Sequence, residues 1–272
     1  MKSLPLPKPL HTTDIRGQLI LLGTGTSVGV PSLGCGCEVC LSTDPRDKRT
    51  RTSAIIGLPE GNLLVDTGPD LRFQLLRERI GIVHAVFYTH EHADHLFGLD
   101  DLRLFPFYLG HPIPLYCEEP VERRIRRAFD YAFGDDYTHT GAAPQLAIHQ
   151  LDLSPQPILG GEILPLRLQH GPRFEVLGFR VGNIAYCTDT NHIPGDTMAQ
   201  LQGLDVLIID ALRWRPHVTH FCVEEAIAVA EQLKPKRTIF THICHDLGHA
   251  ETNSRLPPGI ELGYDGMRFT LE

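Results

Sequence analysis

The chain has 272 residues, of which 42% are hydrophobic and 21% are charged, as in an ordinary globular protein. A formal net charge of −8 disfavours sequence-independent binding of nucleic acid, because such binding needs a basic surface. No apolar stretch reaches the roughly 18 residues of a membrane span, and the proline-rich residues 1–17 lack the apolar stretch of a signal peptide, so we expect a cytoplasmic protein without a membrane partner.

Strand and helix patterns follow one another along the chain, without a repeat or a composition break that would separate two domains. A strand over 18–22 ends in a Gly-Thr-Gly turn, and strands over 53–58 and 62–66 form a hairpin across Pro59-Glu60-Gly61. Apolar spacing predicts helices over 70–80, 119–133 and 223–233. Further strands are predicted over 84–89, 163–169, 175–181, 184–188, 206–210 and 237–241, and a polar loop, either a lid or a spacer, over 134–147. This order predicts an α/β (α+β) protein with two packed sheets between helices.

Histidine is frequent, with 15 in the chain, and His90, His92, Asp94 and His95 follow one buried strand directly. On extended chain, His90 and His92 point the same way because side chains alternate. Asp94 and His95 turn towards a second point once a helix begins. One metal ion can therefore use the first pair and a neighbouring ion the second. Imidazoles suit zinc, iron and manganese, and a carboxylate suits the harder ion.

The order His-x-His-x-Asp-His after a strand resembles the signature of the metallo-β-lactamase superfamily. Asp66, which closes an early strand, matches the acidic residue that supports the metal-binding loop in that superfamily. His170, Asp189 and His242 match its later ligands, in the expected order and at strand ends.

This resemblance covers the chain from Gln18 onward and implies a four-layer αββα sandwich. It implies a single domain over residues 1–272, with an N-terminal arm at 1–17. It also implies two catalytic divalent ions, with Asp189 between them. The ligands would be His90, His92 and His170 for one ion, and Asp94, His95 and His242 for the other.

The seven cysteines are an odd number, which argues for reduced thiols or bound metal rather than a disulfide framework. Cys35, Cys37 and Cys40 share one glycine-rich loop, residues 33–41. Structural zinc prefers four tetrahedral nitrogen or sulfur ligands, so a fourth ligand must come from elsewhere. His245 follows His242 by three residues and is one candidate. The rivals are His249 and Cys244.

Three motifs together resemble a narrower branch, the phosphoribosyl cyclic phosphodiesterases of bacterial phosphonate breakdown. They are Gly23-Thr24-Gly25-Thr26-Ser27, the cysteine loop, and Thr241-His242-x-x-His245. A family of pyrroloquinoline quinone biosynthesis shares the cysteine loop. The resemblance implies a structural zinc ion on Cys35, Cys37, Cys40 and His245, and a homodimer.

Two metal ions about 3.5–4 Å apart can hold a hydroxide between them and clamp an in-line displacement at phosphorus. A proton donor would assist the leaving alkoxide. The context Thr219-His220-Phe221, before a predicted helix, resembles a motif of the same branch and of tRNase Z, which implies that His220 is this donor. His217 is the competing candidate. Catalysis is therefore assigned to Asp94, Asp189 and His220.

The sequence thus predicts a phosphodiesterase acting on a small cyclic or nucleotide-like phosphate diester, with zinc, manganese or iron as catalytic metals. A tRNA 3′-processing nuclease would need an RNA-gripping arm and a basic surface. Thioester or lactam hydrolysis by the same metal pair is a further alternative. A non-catalytic accessory protein of cofactor biosynthesis would lack catalytic ligands, whereas all seven are present.

Arg173, Arg213 and Arg215 are candidates for contacts with the substrate phosphate, since the guanidinium fork matches phosphate geometry.

Overall fold

The computed structural model describes residues 10–133 and 143–272. The strands in chain order are β1 (Gln18–Gly23), β2 (Ser53–Leu58), β3 (Gly61–Val65), β4 (Ala85–Phe87), β5 (Ile113–Cys117), β6 (Leu146–Gln150), β7 (Gln156–Ile158), β8 (Gly161–His170), β9 (Phe174–Val181), β10 (Ile184–Cys187), β11 (Val206–Asp210), β12 (Arg237–Thr241), β13 (Ile260–Leu262) and β14 (Arg268–Thr270). The α-helices are α1 (Glu38–Leu41), α2 (Leu71–Glu78), α3 (Ala93–Leu96), α4 (Phe105–Leu109), α5 (Glu119–Ala128), α6 (Gly195–Gln200), α7 (Val223–Leu233) and α8 (His249–Asn253). Short 3-10 helices cover Pro45–Asp47, Leu99–Leu104 and Asp130–Ala132.

Within these described residues the strands form two seven-stranded sheets. Sheet 1 has the order β14-β1-β2-β3-β4-β5-β6, and sheet 2 has the order β13-β12-β11-β10-β9-β8-β7. Pairing is antiparallel in the β1–β2–β3 part of sheet 1 and parallel from β3 to β6. In sheet 2, β10 to β13 are parallel, whereas β7 to β10 pair antiparallel.

The central strands are apolar on both faces because each sheet is covered on both sides. In β1, Leu19 and Leu21 pack into the core between the sheets, whereas Ile20 and Leu22 pack under the helices of sheet 1. Strands buried on both faces read as nearly continuous hydrophobic runs, as the sequence of β11 does. Helices α2 and α5 cover sheet 1, and α7 covers sheet 2. The predicted four-layer αββα sandwich is confirmed. Among the described residues, no helix has the length and apolarity needed to cross a membrane.

The observed helices and strands differ from the predicted ones mainly between residues 105 and 150. No strand was predicted between 90 and 162, but 113–117 forms β5, and its alternate residues Ile113, Leu115 and Cys117 are buried. The expected helix over 119–133 ends at Ala128 and continues only as a 3-10 turn. The loop expected over 134–147 falls mostly on residues 134–142, outside the described residues, and β6 already begins at Leu146.

Residues 10–17, the described part of the predicted N-terminal arm, lie along sheet 1 rather than apart from it. Ile15 is buried in the core under the helices of sheet 1, and Arg16 forms a backbone bridge with Gly57. The four arginines of α5 lie on a solvated helix, where Arg123 pairs with Glu119 and Arg126 with Glu122 one turn apart.

The core between the sheets should be the main source of stability. Phe179 is fully buried there and contacts the rings of Phe87 and Tyr186 at 5.6 and 5.3 Å between centroids. We expect Phe179→Ala to lower the free energy of unfolding by about 3–5 kcal/mol through lost burial and the cavity left behind. Phe73→Ala removes the same ring from an exposed helix position and should change it by less than about 0.5 kcal/mol. Denaturant unfolding followed by circular dichroism measures both, and equal effects would contradict this account of the core.

Candidate metal centre and active site

The predicted ligands lie at one edge of the sandwich because the strands that carry them end there. The three parallel strands β10, β11 and β12 end at Cys187, Asp210 and Thr241, so their carboxyl ends share one edge. β8 runs in the same direction as β10, because each is antiparallel to β9. In sheet 1, β3 and β4 are also parallel and end beside Asp66 and the histidine cluster.

Three histidines form the first donor set. His90, His92 and His170 each offer a ring nitrogen, and these nitrogens lie within 4.8 Å of one another. The rings of His90 and His92 are 4.5 Å apart between centroids, and that of His92 lies 5.2 Å from His170. His90 and His92 thus converge as the alternation of extended chain predicts, and β8 brings His170 to them.

The second donor set joins two carboxylates and two histidines: Asp94, His95, Asp189 and His242. His95 Nε2 lies 3.4 Å from an oxygen of Asp94 and 3.3 Å from one of Asp189. His242 Nε2 lies 3.3 Å from the other oxygen of Asp189, which is also 3.9 Å from His90 Nε2. Asp189 therefore lies between the two donor sets.

Hydrogen bonds on the far side of the rings orient the histidines. Fully buried Asp66 binds His95 Nδ1 at 2.7 Å and accepts hydrogen bonds from both the backbone N–H and the hydroxyl of Thr89. The Thr89 hydroxyl also contacts His90 Nδ1 at 3.0 Å. His170 Nδ1 donates to the carbonyl of Thr219 at 2.8 Å. Such contacts on one ring nitrogen leave the other free for a metal ion.

The electrostatics of the cluster fit a divalent cation. Burial holds the pKa of His90 well below its ordinary value, which favours the neutral ring that ligates metal. Burial opposes ionisation of Asp189, yet His242 and His95 hold its pKa well below the usual range. The buried Nε2 atoms of His90, His95 and His242 have no hydrogen-bond partner. Orphaned buried nitrogens beside ionised carboxylates are the donor set that a metal ion would satisfy.

Three residues of the site adopt the left-handed backbone conformation although none is glycine. The φ angles are 62° for Asp66, 52° for Asp189 and 58° for His242. Such residues are uncommon and hold conformational strain, which clusters at functional sites. Each one follows the end of a strand by one or two residues, where the chain leaves the sheet.

His220 lies beside both donor sets and is held by a residue that the sequence analysis did not single out. Its Nδ1 is 2.6 Å from a carboxylate oxygen of Asp210, which also accepts the backbone N–H of Thr190. The His220 ring stacks on His242 at 4.5 Å between centroids. The sequence could have identified Asp210, because it is the last residue of a buried strand, and Asp66 and Asp189 each follow the end of one. The rival His217 is more exposed, and its Nδ1 contacts Thr219.

Five of the seven predicted catalytic ligands border an open cleft of about 290 Å³, whereas His90 and His95 are buried behind it. Its lining residues are Ser27, His92, Asp94, His170, Phe174, Asp189, Thr219, His220 and His242. The three arginines expected at the substrate phosphate are not among these described lining residues. Arg213 donates to the carbonyls of Arg215 and Pro216, and Arg215 pairs with Asp246, whereas Arg173 is exposed in the turn before β9. The structure therefore does not bring them into the cleft. Ser27, Thr219 and Phe174 were not predicted as lining residues.

The cysteine loop forms a separate donor set with His245. The Sγ atoms of Cys35, Cys37 and Cys40 lie 3.2, 3.4 and 3.5 Å from His245 Nδ1. The backbone N–H of Cys40 is the main cause that lowers the pKa of the Cys37 thiol to about 7, which favours the ligating thiolate. Of the three candidates for the fourth ligand, the structure places His245 in this group and neither His249 nor Cys244.

Comparisons with known proteins agree with this geometry. The family model of the beta-lactamase superfamily domain matches residues 61–243. The chain belongs to the metallo-β-lactamase superfamily of metal-binding hydrolases. A solved structure described as a new diphosphatase from the PhnP family has 43% sequence identity and a TM-score of 0.87, covering 94% of this chain and 98% of its own. The branch is therefore PhnP-like, as the sequence motifs predicted.

Two curated relatives carry other names. Octanoyltransferase of Porphyromonas gingivalis is 37% identical over 93% of this chain, but the chain spans only about half of that protein, 51%. Coenzyme PQQ synthesis protein B of Rhodopseudomonas palustris is 32% identical over 93% of this chain and 99% of its own length. The family thus defines the fold and the metal-binding class of the chain, and the names of its members differ.

The ligand role of the cysteine loop is open to direct measurement. We expect Cys37→Ser and His245→Ala each to bind one fewer zinc ion per chain than the wild type, because four N or S ligands hold structural zinc. Cys244→Ser is the matched control, since Cys244 lies outside the donor set, and should keep the full content. Elemental analysis of desalted protein gives the count, and unchanged zinc in both loop variants would exclude the site.

Proposed function

We propose that the chain is a metal-dependent phosphodiesterase that hydrolyses a small cyclic or nucleotide-like phosphate diester. The observation that carries this proposal is the pair Asp210 and His220 beside the two donor sets. A diester needs a proton at its departing alkoxide, and His220 offers one at the border of the cleft. The 43% identity with a diphosphatase of the PhnP family further supports phosphate chemistry.

The residues that would hold two catalytic metal ions are the two donor sets, with Asp189 shared between them. When bound, two divalent ions would activate a water molecule and neutralise charge on the non-bridging phosphate oxygens. Zinc, manganese and iron all suit these imidazole and carboxylate ligands. The cysteine loop with His245 would hold a structural zinc ion.

In the proposed reaction the oxygen of water forms a bond to phosphorus, and the bond from phosphorus to the leaving alkoxide breaks. His220 enters as the imidazolium, which the carboxylate of Asp210 stabilises through the bond to Nδ1. The proton then passes from Nε2 to the alkoxide, while the water molecule releases one proton to solvent as it bonds to phosphorus. His220 takes up a proton from solvent before the next cycle, so the net products are an alcohol and a phosphate monoester. Asp210 also fixes the ring, as carboxylates do in other catalytic pairs.

Cleavage of a diphosphate is the second candidate, because a relative with a solved structure and 43% sequence identity is described as a diphosphatase. The same residues would serve, since the leaving group is then a phosphate oxygen in place of an alkoxide. A phosphate leaving group needs less help from a proton donor, so the role of His220 separates the two reactions.

Turnover itself is the first test. Metal-loaded wild type should hydrolyse bis(p-nitrophenyl) phosphate, and Asp189→Ala should lose this activity because both donor sets share Asp189. A β-lactam and an acyl thioester tested in parallel should stay intact, and a diphosphate diester decides the second candidate. Turnover of the lactam or the thioester alone, with zinc and with manganese, would overturn the proposal.

The proton-donor role predicts a dependence on the leaving group. His220→Ala should lower kcat by about 10²–10⁴-fold for a diester with an alkyl leaving group. The loss should be much smaller for p-nitrophenolate, which leaves without a proton. Asp210→Asn should show the same pattern to a lesser degree and add little in the His220→Ala background, because both act as one unit. His217→Ala is the control, and an equal loss for both leaving groups would assign His220 to metal binding instead.

A further inference from the structure

Two apolar residues are exposed at or beside the cleft. Phe174, the first residue of β9, lines the cleft, and 44% of the residue remains exposed. Its ring lies 5.4 Å from His92 and 6.5 Å from His170 between centroids. On the neighbouring loop Val218 is 72% exposed, next to the lining residue Thr219.

The turn before Phe174 and the loop that carries Val218 are both held in fixed positions. β8 and β9 pair His170 with Phe174 across a three-residue turn, so the ring stands directly beside the donor set. The side chain of Asn191 accepts the backbone N–H of Gly171 in this turn and donates to the carbonyl of Val218. A Cβ atom on Gly171 would lie 2.6 Å from the Thr219 side chain, so turn and loop pack closely.

The chemistry of the lining limits what the cleft can recognise. Among the described lining residues there is neither lysine nor arginine. Within this described lining, contacts outside the metal donors therefore do not use the cationic side chains that recognise phosphate elsewhere. An exposed phenylalanine offers a flat apolar face instead, and a nucleobase has a matching π-face that stacks on it.

We propose that Phe174 is a stacking platform for a nucleobase, and that the substrate class is a nucleoside phosphate ester. This inference rests on the proposed phosphodiesterase function and specifies its substrate. The phosphodiester lies at the metal donors, and the base of the flanking nucleoside lies against Phe174 at the mouth. A single exposed apolar residue is ordinary at a protein surface. Phe174 differs because it is fixed against a predicted metal ligand inside the cleft.

The test compares two substrates with the same leaving group. One is the p-nitrophenyl ester of thymidine 5′-monophosphate, and the other is methyl p-nitrophenyl phosphate. Metal-loaded wild type should prefer the nucleoside ester in kcat/KM, and Phe174→Ala should reduce this preference by about 5- to 100-fold, mainly through KM. Phe174→Tyr should retain it because the ring remains. Phe73→Ala removes an exposed phenylalanine from α2, away from the cleft, and should leave both reactions unchanged.

A binding measurement separates the two proposals. Calorimetry with thymidine 5′-monophosphate and with methyl phosphate reports the platform even where no diester is turned over. If wild type hydrolyses neither ester but Phe174→Ala still weakens nucleotide binding, the proposed function fails and the platform stands. If wild type hydrolyses both esters without preference, the stacking proposal is overturned. It is also overturned if Phe174→Ala slows both esters equally, because Phe174 then only supports His92.

Discussion

The structure depends on the burial of two carboxyl groups among histidines at one edge of the sandwich. Asp66 and Asp189 are almost wholly removed from water, and an isolated buried charge is strongly unfavourable. Each carboxylate is compensated differently. Asp66 receives two hydrogen bonds from Thr89 and one contact from His95, whereas Asp189 faces histidine nitrogens that have no other partner. Asp66 is thus held by hydrogen bonds within the protein, whereas Asp189, beyond one hydrogen bond from Thr188, faces donors that a metal ion would satisfy.

The two predicted kinds of metal site share a single segment of chain. His242 belongs to the catalytic donor set, and His245, three residues later, belongs to the cysteine loop. Between them, Ile243 forms backbone hydrogen bonds with Thr24 and Thr26, in the glycine-rich turn that precedes Ser27. Buried Arg49 joins the same region by donating to the carbonyls of Cys244 and Leu247. A structural zinc ion would therefore fix both the final catalytic histidine and the loop on the opposite side of the cleft.

Much of this architecture follows from the sequence by simple rules. Apolar strands ending in His or Asp predicted the sandwich and the edge that carries the chemistry, and the fold is confirmed. The structure places all the predicted metal donors together, including His245 with the three cysteines, although their binding of metal stays a prediction. Asp210 was missed because its partner His220 lies ten residues away on a loop whose path no local pattern gives. None of the three candidate arginines is among the described residues that line the cleft. The reason is related, since residue type predicts affinity for phosphate but not the direction of a side chain.

The left-handed backbone at Asp66, Asp189 and His242 constrains how these positions can change over evolution. Aspartate, asparagine and histidine tolerate this conformation better than most residues, and glycine adopts it freely. β-Branched and bulky side chains are disfavoured there whatever the chemistry requires. A descendant that abandons hydrolysis can therefore keep its fold most easily by drifting to glycine or asparagine at these sites. Relatives that have lost activity would then be recognisable from their sequences, because the turns would be preserved while the acidic or imidazole groups were replaced.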